Sequence, residues 1–151
     1  MANDIKLVIN FGHALGRRSQ AFLFDRLGDF RLVHHRLQID FDKPLLDQIV
    51  RAVDAVEREC GSLESYGGGM GVYVVPIGMT DPALLLQIEI FGRTGAFPNL
   101  LLMRREDGEF AIYGILDGER VKLLARGRRK PQQLGESTWE DRQKKLQSTP
   151  P

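Results

Sequence analysis

The stretch Asn99–Arg126, NLLLMRREDGEFAIYGILDGERVKLLAR, decides the fold expected of this chain. It holds two Asp-Gly pairs, Asp107-Gly108 and Asp117-Gly118, each between apolar-rich runs. Asp-Gly is a strong signal for a two-residue hairpin, because both turn positions need positive φ. Two such turns predict a three-stranded antiparallel meander of fixed register. Met103 then faces Ile112, which faces Leu123, and Leu101 faces Gly114, which faces Val121. The opposite face sets Leu102 beside Tyr113 and Lys122, with Leu100 and Ile115 in the next row. Both faces are largely apolar, whereas a sheet with one wet face alternates cleanly. Something must therefore cover both: a second layer of the same chain, or another subunit.

Working outward, Ile5, Leu7, Ile9 and Phe11 repeat with the period of two that marks a strand. Residues 12–18 form a loop. Residues 20–26 and 30–41 look like a hairpin around Leu27-Gly28-Asp29. In its longer arm Val33, His35, Leu37, Ile39 and Phe41 share one face, and His34, Arg36, Gln38 and Asp40 the other. Residues 70–77 and 83–91 complete the strand set, joined by the turn-rich run Pro76–Pro82. One main helix is expected over about 44–60, with Asp42 as its cap, an apolar stripe of Leu45, Leu46, Ile49, Val53, Val56 and Cys60, and Gly61 as its stop. The expected fold is α+β: an antiparallel sheet of about seven to eight strands, in one or two layers, with that helix after the third strand.

The chain has 151 residues, 42% hydrophobic and 27% charged, which suits one folded domain. Residues 1–126 are read as that domain and 127–151 as a basic tail. The formal net charge of +1 hides an asymmetry. Residues 126–151 hold seven of the 21 Lys and Arg but three of the 20 Asp and Glu, so the tail is basic and the body mildly acidic. In the tail, Ser137–Glu140 fits a capping box, predicting a short helix over about 138–147 whose large apolar residues are Trp139 and Leu146. That stripe is too thin for an independent helix. A single cysteine excludes an intrachain disulfide and a cysteine-rich metal framework. With no signal-like N-terminus and no apolar run of about 20 residues, the expectation is a soluble, cytoplasmic protein.

Candidate chemistry is sparse. Gly12–Ser19 follows a strand and invites comparison with a phosphate loop, but its glycine spacing is one short and Arg stands where Lys is required. A strand is expected to follow it, so the helix dipole is missing too. A general anion contact through Arg17 and Arg18 is the milder reading, and a solvated loop the plainest. His34 and His35 point to opposite faces of a strand and cannot share an ion. His34 and Asp40 lie roughly 20 Å apart on the polar face. His13 is the third and last histidine. Cys60 at a helix C-terminus is structural, because the negative dipole end disfavours a thiolate. Asp40 and Asp42 could pair, but Asp42 already serves as a cap. No metal site, cofactor or membrane contact is expected, and no catalytic motif argues for an enzyme.

Three functional readings follow. The first is a non-catalytic binding or assembly module. It would self-associate or dock a protein partner through Leu100, Leu102, Tyr113, Ile115, Trp139 and Leu146. The consecutive leucines Leu84–Leu86 and Leu100–Leu102 suit such an interface, or equally a doubly covered sheet. The second is nucleic-acid binding by Arg126, Arg128, Arg129 and Lys130, with Arg104, Arg105 and Lys122 extending the patch. Against it, the chain is nearly neutral and lacks interleaved aromatics. The third is a small-molecule enzyme or ligand-binding protein using the Gly12–Ser19 loop and His34, with His13, Arg17 and Arg18 at the pocket.

Overall fold

The computed structural model describes residues 5–130, together with Lys144, Gln147 and Ser148. The alternating run at the N-terminus forms β1 (Lys6–Asn10) and places Leu7, Ile9 and Phe11 on one face and Val8 on the other, all with no exposure. The next segments depart from expectation. Arg17–Leu27 is a helix, α1, followed by β2 (Phe30–His34), α2 (Leu45–Cys60), β3 (Val72–Val75), α3 (Thr80–Thr94), β4 (Asn99–Glu106), β5 (Glu109–Asp117) and α4 (Gly118–Gly127). Two short 3-10 turns, Leu63–Ser65 and Gly67–Gly69, lie between α2 and β3.

The sheet has five strands in the order β2-β1-β3-β4-β5. β1 pairs in parallel with β2 and β3, and β3 with β4; only β4 and β5 are antiparallel. The expected antiparallel sheet of seven to eight strands is thus replaced, among the described residues, by a mixed, mostly parallel sheet of five strands with four α-helices.

The correction has a local cause in each segment. In 17–27, Ser19, Leu23 and Leu27 are buried, a spacing of four that belongs to a helix and not a strand. In 80–94, Pro82, Leu86 and Ile90 repeat the same spacing. Pro82 stands in the first turn, where a missing N–H costs little, so Pro76–Pro82 is partly a helix start and not a hairpin turn. Asp117-Gly118 is likewise a helix start: Asp117 Oδ1 accepts from Arg120 N at 3.0 Å. The main helix stands where expected and stops at Gly61 (φ 87°), but Asp42 does not cap it; Asp42 N instead donates to Asp40 Oδ1.

Asp107-Gly108 does form a tight hairpin turn, with φ of 48° and 84° and Glu106 opposite Glu109. Met103 faces Ile112 as the turn dictates, but a register shift at Leu102/Met103 then sets Leu101 opposite Ile115 instead of Gly114. Helices of the chain itself cover both faces of the sheet. Leu23 and Leu27 of α1 pack with Val8, Val75, Leu101 and Ile112. α2 and α3 pack on the other side, against Leu7, Ile9, Phe11, Val72 and Val74. Arg93 of α3 ties these two helices together, its Nη1 lying 2.7 Å from both Asp54 Oδ1 and Glu57 Oε1.

This winding has a reason. Crossovers between parallel strands keep one hand. The chain steps outward from β1 to β2, then back across β1 to β3, so α1 and α2 fall on opposite faces. The reversal leaves a crevice between β1 and β3 at the carboxyl ends of the strands, where connections diverge. Among the described residues no helix is long and apolar enough to cross a membrane.

Candidate functional site

The crevice is a cleft of about 790 Å³. It is built by three segments that each follow a parallel strand: Phe11–Ala14 after β1, Arg36–Ile39 after β2, and Pro76–Met79 after β3. Met103 of β4 and Phe110 of β5 close one side. The walls are mainly apolar, through Phe11, Leu37, Ile39, Ile77 and Met79. The polar side chains on it are His13, Arg36 and Gln38, and none of the described lining residues is a carboxylate.

Asn10, the last residue of β1, holds this end of the molecule together. It is 1% exposed. Its Oδ1 accepts from Gly12 N at 2.9 Å, and its Nδ2 donates to His13 O at 2.7 Å. Those two backbone partners fix which way the amide faces. Nδ2 also lies 3.1 Å from His34 Nδ1, which ties the His34 ring to the same amide. The extended run after β2 stays beside β1, with His35 N and Leu37 N donating to the Asn10 and Phe11 carbonyls. This is how Arg36 and Gln38 arrive at the cleft.

Two helices start at the same edge. α1 begins three residues beyond Ala14 and α3 directly after Met79, and neither has a side-chain cap on its first N–H groups. Uncapped N-termini carry partial positive charge. The strand expected at 20–26 had removed that dipole from the Gly12–Ser19 loop; α1 restores it.

The sequence candidates are distributed as follows. His13 lines the cleft, and Asn10 joins its backbone to the His34 ring. Arg18 is committed to the β4–β5 hairpin, its Nη2 lying 3.0 Å from Asp107 Oδ2 and its Nη1 3.4 Å from Glu106 Oε2. The hydrogen bond and charge of Asp107 raise the affinity of that guanidinium for its proton. Arg17 is exposed at the first turn of α1. Cys60 is buried, and desolvation pushes its thiol up from the ordinary range, so it is not primed as a nucleophile. Among the described residues, no three His, Cys, Asp or Glu come together to hold a metal ion.

The apolar candidates separate. Ile115 packs against the α1 cluster on one face. Leu100 lines a second, apolar groove of about 570 Å³ between α3, Phe97-Pro98, the β4–β5 ribbon and α4. Leu102 is half-buried with its Cδ1 near Gly114, and Tyr113 is 43% exposed beneath Arg104. Arg126 and Arg129 edge the groove with Lys122, while Arg128 and Lys130 are exposed beyond α4. Trp139, Leu146 and the helix expected over 138–147, apart from Lys144 and Gln147, lie outside the described residues.

Sequence reading passed over Asn10 and Arg36. Asn10 held the polar position of an alternating strand, which reads as the wet side. The available signal was the run Leu7–Phe11, apolar at four of five positions: an asparagine inside it, two residues before a glycine, is a buried amide closing a turn. No protein-family model, curated protein or solved structure matches this chain.

Proposed function

We propose that this protein binds a small anionic molecule with a sizeable apolar or planar body, in the cleft at the carboxyl ends of β1, β2 and β3. One observation carries the reading: an apolar cleft whose polar side chains are His13, Arg36 and Gln38, with no carboxylate among its described lining residues. Its volume falls in the range of small-molecule sites. Its position, where the sheet order reverses, is where open parallel sheets bind ligands. The start of α1, which has no acidic residue in its first turn, adds positive potential at the same edge. Arg36 supplies a fork for a carboxylate or phosphate, and the apolar walls take the remainder of the ligand. This favours the ligand-binding alternative over the assembly reading.

The test is calorimetric titration with matched pairs: aromatic carboxylates against their amides, and nucleoside monophosphates against their nucleosides. At least one anion should bind while its neutral partner binds tenfold or more weakly. Arg36→Ala should remove that preference and leave the melting temperature unchanged. Equal binding of anion and neutral partner, or no binding across the panel, would overturn the proposal.

A further inference from the structure

The groove beside α4 is separate from the cleft, and the helix that forms it is incompletely packed. α4 carries Val121, Leu123 and Leu124, yet none of its residues is buried. Ten residues are too few for a helix to stand on propensity alone. Its N-terminal turn is held by polar contacts: the Asp117 cap, and Glu119, whose carboxylate accepts from Phe97 N at 2.7 Å and pairs with Lys122. One side of α4, with Val121 and Ala125, faces a groove floored by Phe97, Leu100 and Leu116. Along its rim stand Lys122, Arg126 and Arg129, and neither arginine forms an ion pair among the described residues. An apolar floor with a basic rim suits a segment that brings one large apolar side chain flanked by carboxylates. Phosphates would leave the floor unused.

The chain contains such a segment. Every acidic residue after Glu119 lies within three positions of Trp139: Glu136, Glu140 and Asp141. Trp139 is the single tryptophan. Nine residues lie between it and Arg129, itself on the groove; at about 3.3 Å per residue that is ample chain to fold back. Pro131 and Gly135 in between favour a change of direction. We infer that residues 136–141 dock into the α3–α4 groove of their own chain, with the Trp139 indole on the apolar floor and the three carboxylates against the basic rim. Docking covers Val121 and Ala125, the apolar side chains that α4 turns to the groove.

Trp139 reports on this directly, because its fluorescence is the only tryptophan signal in the full chain. Docked, it emits toward the blue and resists quenching by acrylamide. Val121→Asp, placed on the half-exposed groove wall so that folding is retained, should shift the emission to the red and raise quenching severalfold. Arg126→Glu with Arg129→Glu should do the same. Adding Glu140→Lys and Asp141→Lys to that pair should restore the blue emission, which a general unfolding defect would not permit. Emission at the water-exposed position in the unmodified chain would overturn the inference. So would blue emission unaffected by either groove variant. A blue shift lost on dilution, together with a halving of the solution mass, would assign the segment to a second copy and overturn docking within one chain.

Discussion

Asn10 is the residue on which the cleft depends most. Its amide satisfies one backbone donor and one backbone acceptor in the turn after β1, and it holds the His34 ring. Asn10→Leu keeps the volume and leaves Gly12 N–H and His13 C=O without partners. Each such loss costs about 1–3 kcal/mol, so urea denaturation should show a loss of at least that size. The same variant should weaken ligand binding, because Gly12–Ala14 is one wall of the cleft. Full stability in Asn10→Leu would mean that water or a loop shift replaces the amide. Gly118 is constrained by space and not by φ. A Cβ there would stand 2.6 Å from Pro98 O and 2.7 Å from Phe97 Cβ. Backbone blocks that approach, so Gly118→Ala should lose about 1–3 kcal/mol, read by thermal denaturation, although alanine is the better helix former.

At the scale of elements, two contacts show how the helices are attached. Burial works against the charge of Arg93, but Glu57, Asp54 and Glu89 outweigh it and hold the guanidinium more firmly protonated than usual. Arg93→Ala leaves three carboxylates facing one another between α2 and α3. With Asp54 partly open to solvent, the expected loss is about 2 kcal/mol, below that of a fully buried pair. Arg93→Lys keeps the charge without the fork and should recover only part of it in the same denaturation experiment. α4 depends on acid–base state instead. Hydrogen bonds from Lys122 and then from Phe97 N–H hold the Glu119 carboxyl below its usual range. A carboxylate depressed in the folded state stabilises above its unfolded pKa, and that contribution is lost as pH falls through the folded value. The protection factor of Phe97 N–H, taken against the intrinsic exchange rate at each pH, should therefore fall in acid, and Glu119→Gln should remove the dependence. The same elements explain what the sequence disclosed. The stripe over 45–60 and the turn at Asp107-Gly108 were legible because each has one period or one turn chemistry. QAFLFDR and ALLLQIEIF, apolar at most positions, fit both periods when read alone. What decided them was burial at every fourth residue, set by the sheet they pack against. Asp117-Gly118 has the same ambiguity, since aspartate serves hairpin turns and helix starts alike.

For the molecule as a whole, strand order was beyond reach because parallel pairing leaves no turn signal between neighbours; β1 meets β3 across more than 60 residues. The functional consequence lies in that order. Antiparallel strands would have sent the loops after residues 11, 34 and 75 to alternate ends of the sheet. Parallel pairing brings all three to one end, and the reversal between β1 and β3 opens a space between them. His13 and Arg36 thereby come to share a cleft that no local pattern links. This gives a prediction that only the whole fold makes. On adding an anion from the titration panel that binds, hydrogen exchange should slow together in 11–15, in 36–39 and in 77–79, three segments far apart in sequence. Exchange in α4 should stay unchanged, because its groove lies elsewhere on the molecule. Protection confined to one segment would place the ligand on a single loop and not in the crevice. Protection centred on 118–127 would move the binding site to the groove beside α4, and the strand ends would then have no part in recognition.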